Sequence, residues 1–371
     1  MKKLNIVVCA LLVLGACDFS FNERKKSEVE HEPQTWETAR PLQDIYKNDF
    51  LMGNIISPRD LGTVRFAILT RHYNTLTAEN QMKPDHIAPA AKPSNTNWEY
   101  RFTEADRMVN AAIEAKMKVV GHTLVWHSQT PSWLTEGTKQ TVLANMEKYI
   151  GDVAGHFKDK LIAWDVVNEA FRDGLTSSDV SGGKWENCLR TESGWYKAIG
   201  PEYIEKAFLA ARTADPNAKR YYNDYNLNSP TKSQAVYNMV IDINVRHSNL
   251  IEGIGMQSHH HLGTDPQTVR DSIQKFASLG VEIAISEMDI MAADGGALNM
   301  GQWSDSNSKR QAALYAAMFA VFKAHKSNIT RVTFWGLDDG TSWRATNYPT
   351  LLDKDYNLKP AFFAVTDPNL F

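Results

Sequence analysis

The stretch LIAWDVVNE, residues 161–169, is a mainly apolar run that ends in an asparagine and a glutamate. Seven further short β-rich runs occur along the chain, and several of them are continuously apolar, at 50–56, 74–78, 118–123, 219–222, 253–257, 282–286 and 331–335. Continuous apolar runs of this length are typical of strands buried on both faces, as in a parallel sheet covered by helices. The stretch at 161–169 is therefore interpreted as one strand of a set of eight.

Segments with the 3.6-residue apolar spacing of amphipathic helices separate these runs, at 103–116, 138–157, 201–214, 229–246, 265–279 and 308–324. An open, doubly wound sheet would usually have a glycine-rich phosphate turn after its first strand, whereas Ile56-Ser57-Pro58-Arg59 follows here. The alternation therefore predicts an α/β fold, a single (β/α)₈ TIM barrel whose chemistry lies at the carboxyl ends of its strands.

The composition narrows the class of protein. The chain has 371 residues, 43% of them hydrophobic and 22% charged, which excludes low-complexity and disordered classes. Its formal net charge of −3 is no electrostatic reason to expect a nucleic-acid partner. Ten tryptophans suit a flat, half-apolar ligand such as a sugar, although a large core accommodates them equally well.

The N-terminus reads as an export signal. Lys2 and Lys3 precede an apolar run at 4–14 that is too short to span a bilayer, and Leu14-Gly15-Ala16-Cys17 resembles a bacterial lipobox. We expect a lipoprotein signal peptide at 1–16, lipid on Cys17, a polar tether at 17–40 and a catalytic barrel at 41–371. The lipid on Cys17 would be the only membrane attachment, at the outer membrane or cell surface. Cleavage near Ala16 with release of a secreted protein is the alternative.

Polar and ionisable groups follow seven of the eight predicted strands. Glu169 and Glu287 each come directly after an apolar strand, the fourth and the seventh, which lie across such a barrel from one another. A retaining glycosidase needs two carboxyl groups ~5–5.5 Å apart on either side of the bond that it cleaves. A single glutamate at a strand end would more often cap a loop or pair with an arginine, but the pair, next to Asn168, favours catalysis.

The sequence resembles the endo-β-1,4-xylanases of glycoside hydrolase family 10 from about residue 51 to residue 364. The motifs that carry the resemblance are Glu79-Asn80-x-x-Lys83, Gly121-His122-x-Leu124-x-Trp126-His127, Trp164-Asp165-Val166-x-Asn168-Glu169, Gly255-x-Gln257-x-His259, Ser286-Glu287-x-Asp289 and Phe334-Trp335-Gly336. The resemblance implies that Glu169 is the acid/base and Glu287 the nucleophile. It also implies supporting roles for Asn168, His259 and Asp289.

The resemblance further implies hydrolysis of internal β-1,4 bonds in xylan or xylo-oligosaccharides with retention, by a monomer without a cofactor or metal. It assigns substrate contacts to Glu79, Asn80, Lys83, His122, Trp126, Gln129, Asn223, Tyr225, Gln257, Trp335, Trp343 and Arg344. Two alternatives stay open: a related barrel enzyme acting on glucan or mannan, and a surface lipoprotein that only binds glycans. The run His259-His260-His261 suggests a metal site, but adjacent residues of a strand point to opposite faces.

Overall fold

The computed structural model of the chain describes residues 34–94, 96–292 and 303–371. The signal peptide predicted at 1–16 and the predicted lipidation site Cys17 lie outside the described residues. The strands are β1 (Leu51–Ile56), β2 (Thr75–Ala78), β3 (Lys118–Trp126), β4 (Ala163–Asn168), β5 (Lys219–Asp224), β6 (Gly253–Met256), β7 (His259–His261), β8 (Glu282–Met291) and β9 (Ile329–Phe334).

Eight of these strands form the closed parallel barrel that the sequence predicts. They run in the order β6-β5-β4-β3-β2-β1-β9-β8, and β6 pairs with β8 to close the sheet on itself. The short β7 extends the pairing along the far end of β8. The TIM-barrel fold is thus confirmed, with β3 and β8 longer at their carboxyl ends than the apolar runs indicate.

Helices cover the outside of the barrel. The described helices are α1 (Leu42–Ile45), α2 (Val64–His72), α3 (Pro84–Ile87), α4 (Thr103–Glu114), α5 (Ser132–Thr135), α6 (Lys139–His156), α7 (Gly194–Ile199), α8 (Tyr203–Ala214), α9 (Pro230–His247), α10 (Pro266–Ala277), α11 (Asp305–Ala324) and α12 (Pro360–Thr366). The six predicted helices correspond to α4, α6, α8, α9, α10 and α11. The sequence pattern misses α2 because two of its buried residues are Arg65 and His72, which interrupt the apolar stripe.

The packed unit begins before the predicted boundary at residue 41. Ala39 is buried, and its carbonyl accepts a hydrogen bond from Arg71 at 3.0 Å. The carbonyl of Trp36 accepts from the Arg71 Nε at 2.9 Å and is also 2.9 Å from the His72 Nε2. These residues therefore belong to the domain, although their polar neighbours led to their assignment to the tether. In the described parts of the chain, no helix combines the length and apolar character needed to cross a membrane.

The barrel interior is filled by side chains below the site. A small apolar cluster there consists of Val120, Ala163, Tyr221 and Ala284. The Arg331 guanidinium lies 4.4 Å from the centre of the Tyr221 ring and 3.5 Å from a carboxylate oxygen of Asp165. A Cβ at Gly255 would lie 2.2 Å from the Asn223 Oδ1, so glycine there leaves room for that amide at the mouth of the barrel.

Candidate active site

A cleft of about 790 Å³ lies at the carboxyl ends of the barrel strands. It is lined by Glu79, Asn80, Lys83, His122, Trp126, Gln129, Asn168, Glu169, Tyr225, Asn226, Gln257, His259, His261, Glu287, Met291, Trp335, Trp343 and Arg344. Among the site residues predicted within the barrel, all but two are in this lining. The exceptions are Asn223 and Asp289, both fully buried.

Glu287 is buried at the base of the cleft among hydrogen-bond donors. Its Oε1 accepts from the Asn223 Nδ2 at 2.7 Å, and its Oε2 is 3.2 Å from the His259 Nε2. The His122 Nδ1 lies 3.9 Å from Oε1. Burial by itself would raise the pKa of Glu287, but the hydrogen bond from His259, the charges of His122 and His259 and the Asn223 amide lower that pKa below its ordinary value.

His259 is oriented by the side chain on its other nitrogen. Its Nδ1 lies 2.9 Å from the Asp289 Oδ2, which also accepts from the Trp343 Nε1 at 3.0 Å. The Arg344 Nη1 donates to the Asp289 Oδ1 at 3.0 Å. Burial would lower the pKa of His259, but the Asp289 charge and the bonds to Asp289 and Glu287 raise it to about 9. The imidazole is therefore a cation at neutral pH and donates to both carboxylates.

Glu169 follows β4 on left-handed backbone, with φ +54°. Such a conformation costs a non-glycine residue roughly 1–2 kcal/mol, so the surrounding contacts must hold it. Its N–H donates to the Asn223 carbonyl at 2.9 Å. Its side chain accepts from the Trp126 Nε1 and from the Gln257 Nε2, each at 2.9 Å. Two neutral N–H groups thus direct the Glu169 carboxyl, in contrast to the cation beside Glu287.

Asn168 lies between the two glutamates. Its Oδ1 accepts from the Asn223 Nδ2 at 2.9 Å and from the Gln257 Nε2 at 3.3 Å. Because these same two amides also donate to Glu287 and Glu169, the Asn168 atom that faces them acts as the acceptor. The Asn168 amide nitrogen then lies on the other side of the side chain, 3.3 Å from the Trp126 Nε1, on a residue that lines the cleft.

Asn223 has a different place from the one expected. The resemblance placed it among the substrate contacts, yet its side chain is fully buried and does not line the cleft. Its Oδ1 accepts from the Ser286 Oγ at 2.6 Å, which turns its amide nitrogen toward Glu287. Asn223 therefore orients Glu287, and a contact between Asn223 and the substrate stays a prediction.

The β2 and β3 ends supply a polar wall built around Lys83. The Lys83 ammonium donates to the Asn80 Oδ1 at 2.9 Å and to the Gln129 Oε1 at 3.0 Å. It also lies 5.1 Å from the centre of the Trp126 ring. Burial lowers the pKa of Lys83, while the surrounding carboxylates partly oppose this. Next to this group, Glu79 accepts from the Ser57 hydroxyl at 2.5 Å.

The β5 end supplies Tyr225, which also lines the cleft. Its hydroxyl donates to Asp173 and accepts from the Arg190 guanidinium. The Lys232 ammonium lies 3.7 Å from the centre of the Tyr225 ring. Burial and the bond to Asp173 raise the pKa of Tyr225, so its hydroxyl remains protonated. Three charged groups thus contact Tyr225, with Asp173 and Arg190 at its hydroxyl and Lys232 over its ring.

Several residues of this site were missed from the sequence. Asn226, His261 and Met291 line the cleft, and Arg190 contacts Tyr225. The alternation of a strand puts His261 on the same face as His259, which is a signal that was available. Met291 belongs to the unpredicted extension of β8, and Arg190 lies in irregular chain without a repeating pattern. Within the described residues, no cluster of three or more metal-ligating side chains is found.

Comparison with known proteins adds the family. Residues 41–368 match the model of glycosyl hydrolase family 10. The chain is 39% identical over 381 residues to a β-1,4-xylanase of Dictyoglomus thermophilum, covering 98% of each protein. It is 38% identical over 368 residues to endo-1,4-beta-xylanase A of Thermotoga neapolitana, covering 95% of this chain but 33% of that protein. The chain thus spans about one third of the length of that relative.

A solved structure of a xylanase is also similar to this chain. An intracellular xylanase of Thermoanaerobacterium saccharolyticum, determined as a mutant in complex with xylotetraose, superposes with a TM-score of 0.77 at 36% identity. The superposition covers 88% of this chain and 98% of that one. Because the family model covers nearly all of the barrel and the Dictyoglomus relative matches along its whole length, this protein is a member of glycosyl hydrolase family 10.

Proposed function

We propose that the protein is an endo-β-1,4-xylanase that cleaves internal bonds of xylan with retention, using Glu169 as acid/base and Glu287 as nucleophile. The observation that carries the proposal is the contrast between the two carboxyl groups of one cleft. Glu287 is bonded by a cationic imidazole, which keeps it ionised, whereas Glu169 is bonded by neutral N–H groups. One carboxylate and one proton donor are what double displacement requires.

In the first step, an oxygen of Glu287 attacks the anomeric carbon of the sugar. The bond from that carbon to the bridging oxygen breaks, and Glu169 gives its proton to this oxygen, so that the leaving chain departs as an alcohol. The product is a glycosyl ester on Glu287 and an ionised Glu169.

In the second step, water attacks the same carbon from the side that the leaving chain vacated. Glu169 takes a proton from the water, and the ester bond breaks to regenerate the Glu287 carboxylate. Two inversions give net retention.

Recognition of the substrate is assigned to the remaining lining residues. The Asn168 amide nitrogen is available to the 2-hydroxyl of the attacked sugar, a contact that strengthens in the oxocarbenium-like transition state. Glu79, Asn80 and Lys83 would bind the non-reducing side of the cut, with His122, Trp126 and Gln129 around the attacked sugar. Tyr225 and Arg344 would contact the leaving side.

Discrimination against glucose is assigned to two tryptophans of the cleft wall. Trp335 is buried, with its ring 5.2 Å from that of His122, and Trp343 is 56% exposed with its Nε1 bonded to Asp289. Both would occupy the space into which the hydroxymethyl group of glucose projects. Excluding one such group yields at most a few kcal/mol, so we expect weak activity on aryl cellobiosides.

The test begins with the products of xylohexaose and xylan. Internal cleavage and a β-configured first product by NMR are expected; an α-anomer would rule out double displacement. Glu287→Ala should abolish turnover of xylan and of 2,4-dinitrophenyl β-xylobioside. Glu169→Ala should lose about 10²–10⁴-fold on xylan but keep kcat/KM for the dinitrophenyl substrate, whose leaving group needs no proton in the first step. The control is Glu202→Ala, an exposed glutamate paired with Lys139 on the outside of the barrel.

The same experiments separate the alternatives. An enzyme for glucan or mannan would release reducing ends faster from carboxymethylcellulose or mannan than from xylan. A protein that only binds glycans would show no turnover in the wild type. Neither alternative has an observation in its favour in this cleft.

We also propose export and lipidation at Cys17, argued from the N-terminal sequence alone. Incorporation of labelled palmitate in the producing cells should occur in the wild type and be absent in Cys17→Ser. An unlabelled wild type, cleaved near Ala16 and found in the medium, would support the secreted alternative instead.

A further inference from the structure

The peptide group that follows Glu169 is held by an arginine from a distant part of the chain. The Arg190 Nε donates to the Glu169 carbonyl at 3.1 Å. On the other side of Glu169, its N–H is bonded to the Asn223 carbonyl at 2.9 Å. Because Glu169 has left-handed backbone, these two bonds fix the direction in which its side chain leaves the barrel rim.

Arg190 lies at the end of a long loop, residues 170–190, that leaves the barrel after β4 and returns to it. The chain leaves the rim after Glu169, and Arg190 comes back beside it, with its N–H bonded to the Ala170 carbonyl at 2.8 Å. An antiparallel bridge between Phe171 and Leu189 joins the two ends of this loop. The side chain of Arg190 is 13% exposed. The guanidinium is therefore largely buried and hydrogen-bonded within the rim of the barrel.

The same guanidinium also reaches the leaving side of the cleft. Its Nη2 donates to the Tyr225 hydroxyl and lies 3.3 Å from the Asp173 Oδ2. Tyr225 lines the cleft. A guanidinium is a rigid, planar fork, so it holds the Glu169 carbonyl and the Tyr225 hydroxyl at a fixed spacing. One side chain thus connects the peptide of Glu169 with a ring that faces the substrate.

We propose that Arg190 is a positioning residue that aims the Glu169 carboxyl at the bridging oxygen and couples this aim to the sugar bound against Tyr225. The inference rests on the proposed acid/base role of Glu169. Its consequence is selective: loss of Arg190 should impair reactions that need a proton for the leaving group and spare those that do not. A displacement of about 1 Å in a reacting group can cost on the order of 10²-fold in rate.

The test compares kcat/KM for two substrates that lack a sugar on the leaving side, phenyl and 2,4-dinitrophenyl β-xylobioside. Phenolate is a poor leaving group and needs the proton, whereas dinitrophenolate does not. Arg190→Met should lower kcat/KM about 10–100-fold for the phenyl substrate and less than about threefold for the dinitrophenyl one. The matched control is Arg172→Met. Arg172 lies in the same loop and is paired with Asp179 at 2.7 Å, so its loss should change both kcat/KM values less than about threefold.

A second variant tests the coupling. Tyr225→Phe keeps the ring but removes the hydroxyl that Arg190 contacts. It should lower kcat/KM for xylohexaose by a larger factor than kcat/KM for the phenyl substrate, which has no sugar on the leaving side. Equal factors for the two substrates would overturn the coupling. If Arg190→Met proves unfolded by circular dichroism, Arg190→Lys replaces it, since it keeps the charge but not the planar fork. Its kcat/KM should again fall more for the phenyl than for the dinitrophenyl substrate, but by a smaller factor.

Equal losses on the two aryl substrates in the Arg190 variants would show general damage to the rim and overturn the proposal, as would no loss on either. Failure of the proposed function looks different, because Glu169→Ala would then fail to distinguish phenyl from dinitrophenyl substrate. A selective Glu169→Ala with an unselective Arg190→Met refutes the positioning role alone.

Discussion

His259 should set the acidic limit of activity through Glu287. The histidine lies 3.2 Å from the Glu287 carboxylate, with its own pKa raised to about 9, and it contributes to holding the pKa of Glu287 below the ordinary value. In the proposed mechanism Glu287 must be ionised to attack, so activity should fall as the pH drops through the lowered pKa of Glu287. Replacing the cation by a neutral amide, His259→Gln, should raise that pKa and move the acidic limb toward higher pH.

The size of the shift follows from the contacts that remain. Asn223 still donates to Glu287 at 2.7 Å and His122 still lies 3.9 Å away, so only the charge of one donor is removed. An opposite charge within about 4–6 Å lowers the pKa of a carboxyl group by about 1–3 units. Because the amide of the variant can still donate a hydrogen bond, we expect a shift at the lower end of this range, about one pH unit. Water cannot supply a substitute easily, because Glu287 is 5% exposed.

The measurement is the pH dependence of kcat/KM for 2,4-dinitrophenyl β-xylobioside, which reports on the free enzyme and needs no proton from Glu169. His260→Gln is the matched control: the next residue is also buried, and burial lowers its pKa to about 3, so it is uncharged across the working range. The acidic limb of the pH profile should be the same in His260→Gln as in the wild type. An acidic limb that does not move in His259→Gln, or that moves to lower pH, would refute the role assigned to His259.

Three further predictions follow from single contacts. Trp126→Phe removes the N–H that bonds Glu169 at 2.9 Å, and kcat/KM for xylohexaose should fall about 2- to 10-fold, from the ~0.5–1.5 kcal/mol of a hydrogen bond; an unchanged value would mean that this N–H does not direct the carboxyl. Trp343→Ala should raise the ratio of aryl-cellobioside to aryl-xylobioside kcat/KM, and a constant ratio would exclude Trp343 from the glucose barrier. Arg65→Met should lower the free energy of unfolding in urea by about 3–5 kcal/mol, because it leaves two buried aspartates without their cation; a loss under about 1 kcal/mol would contradict the buried ion-pair assignment.

The local pattern was enough to predict the barrel. Apolar runs such as 161–167 recur between segments of helical spacing, and this alternation is readable because the repeats of strands and helices lie along the chain itself. Where the local pattern is broken, prediction fails: α2 (Val64–His72) buries Arg65 in an ion pair and so lacks an apolar stripe. The two glutamates were visible for the same reason, since each follows an apolar run.

Contacts within the site depended on closure of the barrel. Asn223 was expected to contact the substrate, and in the folded chain the Ser286 hydroxyl, 63 residues away in sequence, turns its amide toward Glu287. Arg190 reaches the Glu169 carbonyl across 21 residues of chain without any repeating pattern. The sequence alone therefore determined the strands and helices and the chemical groups that follow them, because the apolar spacing of each strand or helix is visible within its own segment. Which group touches which was decided only in the folded structure, because parallel strands bring together residues whose separation along the chain has no fixed period.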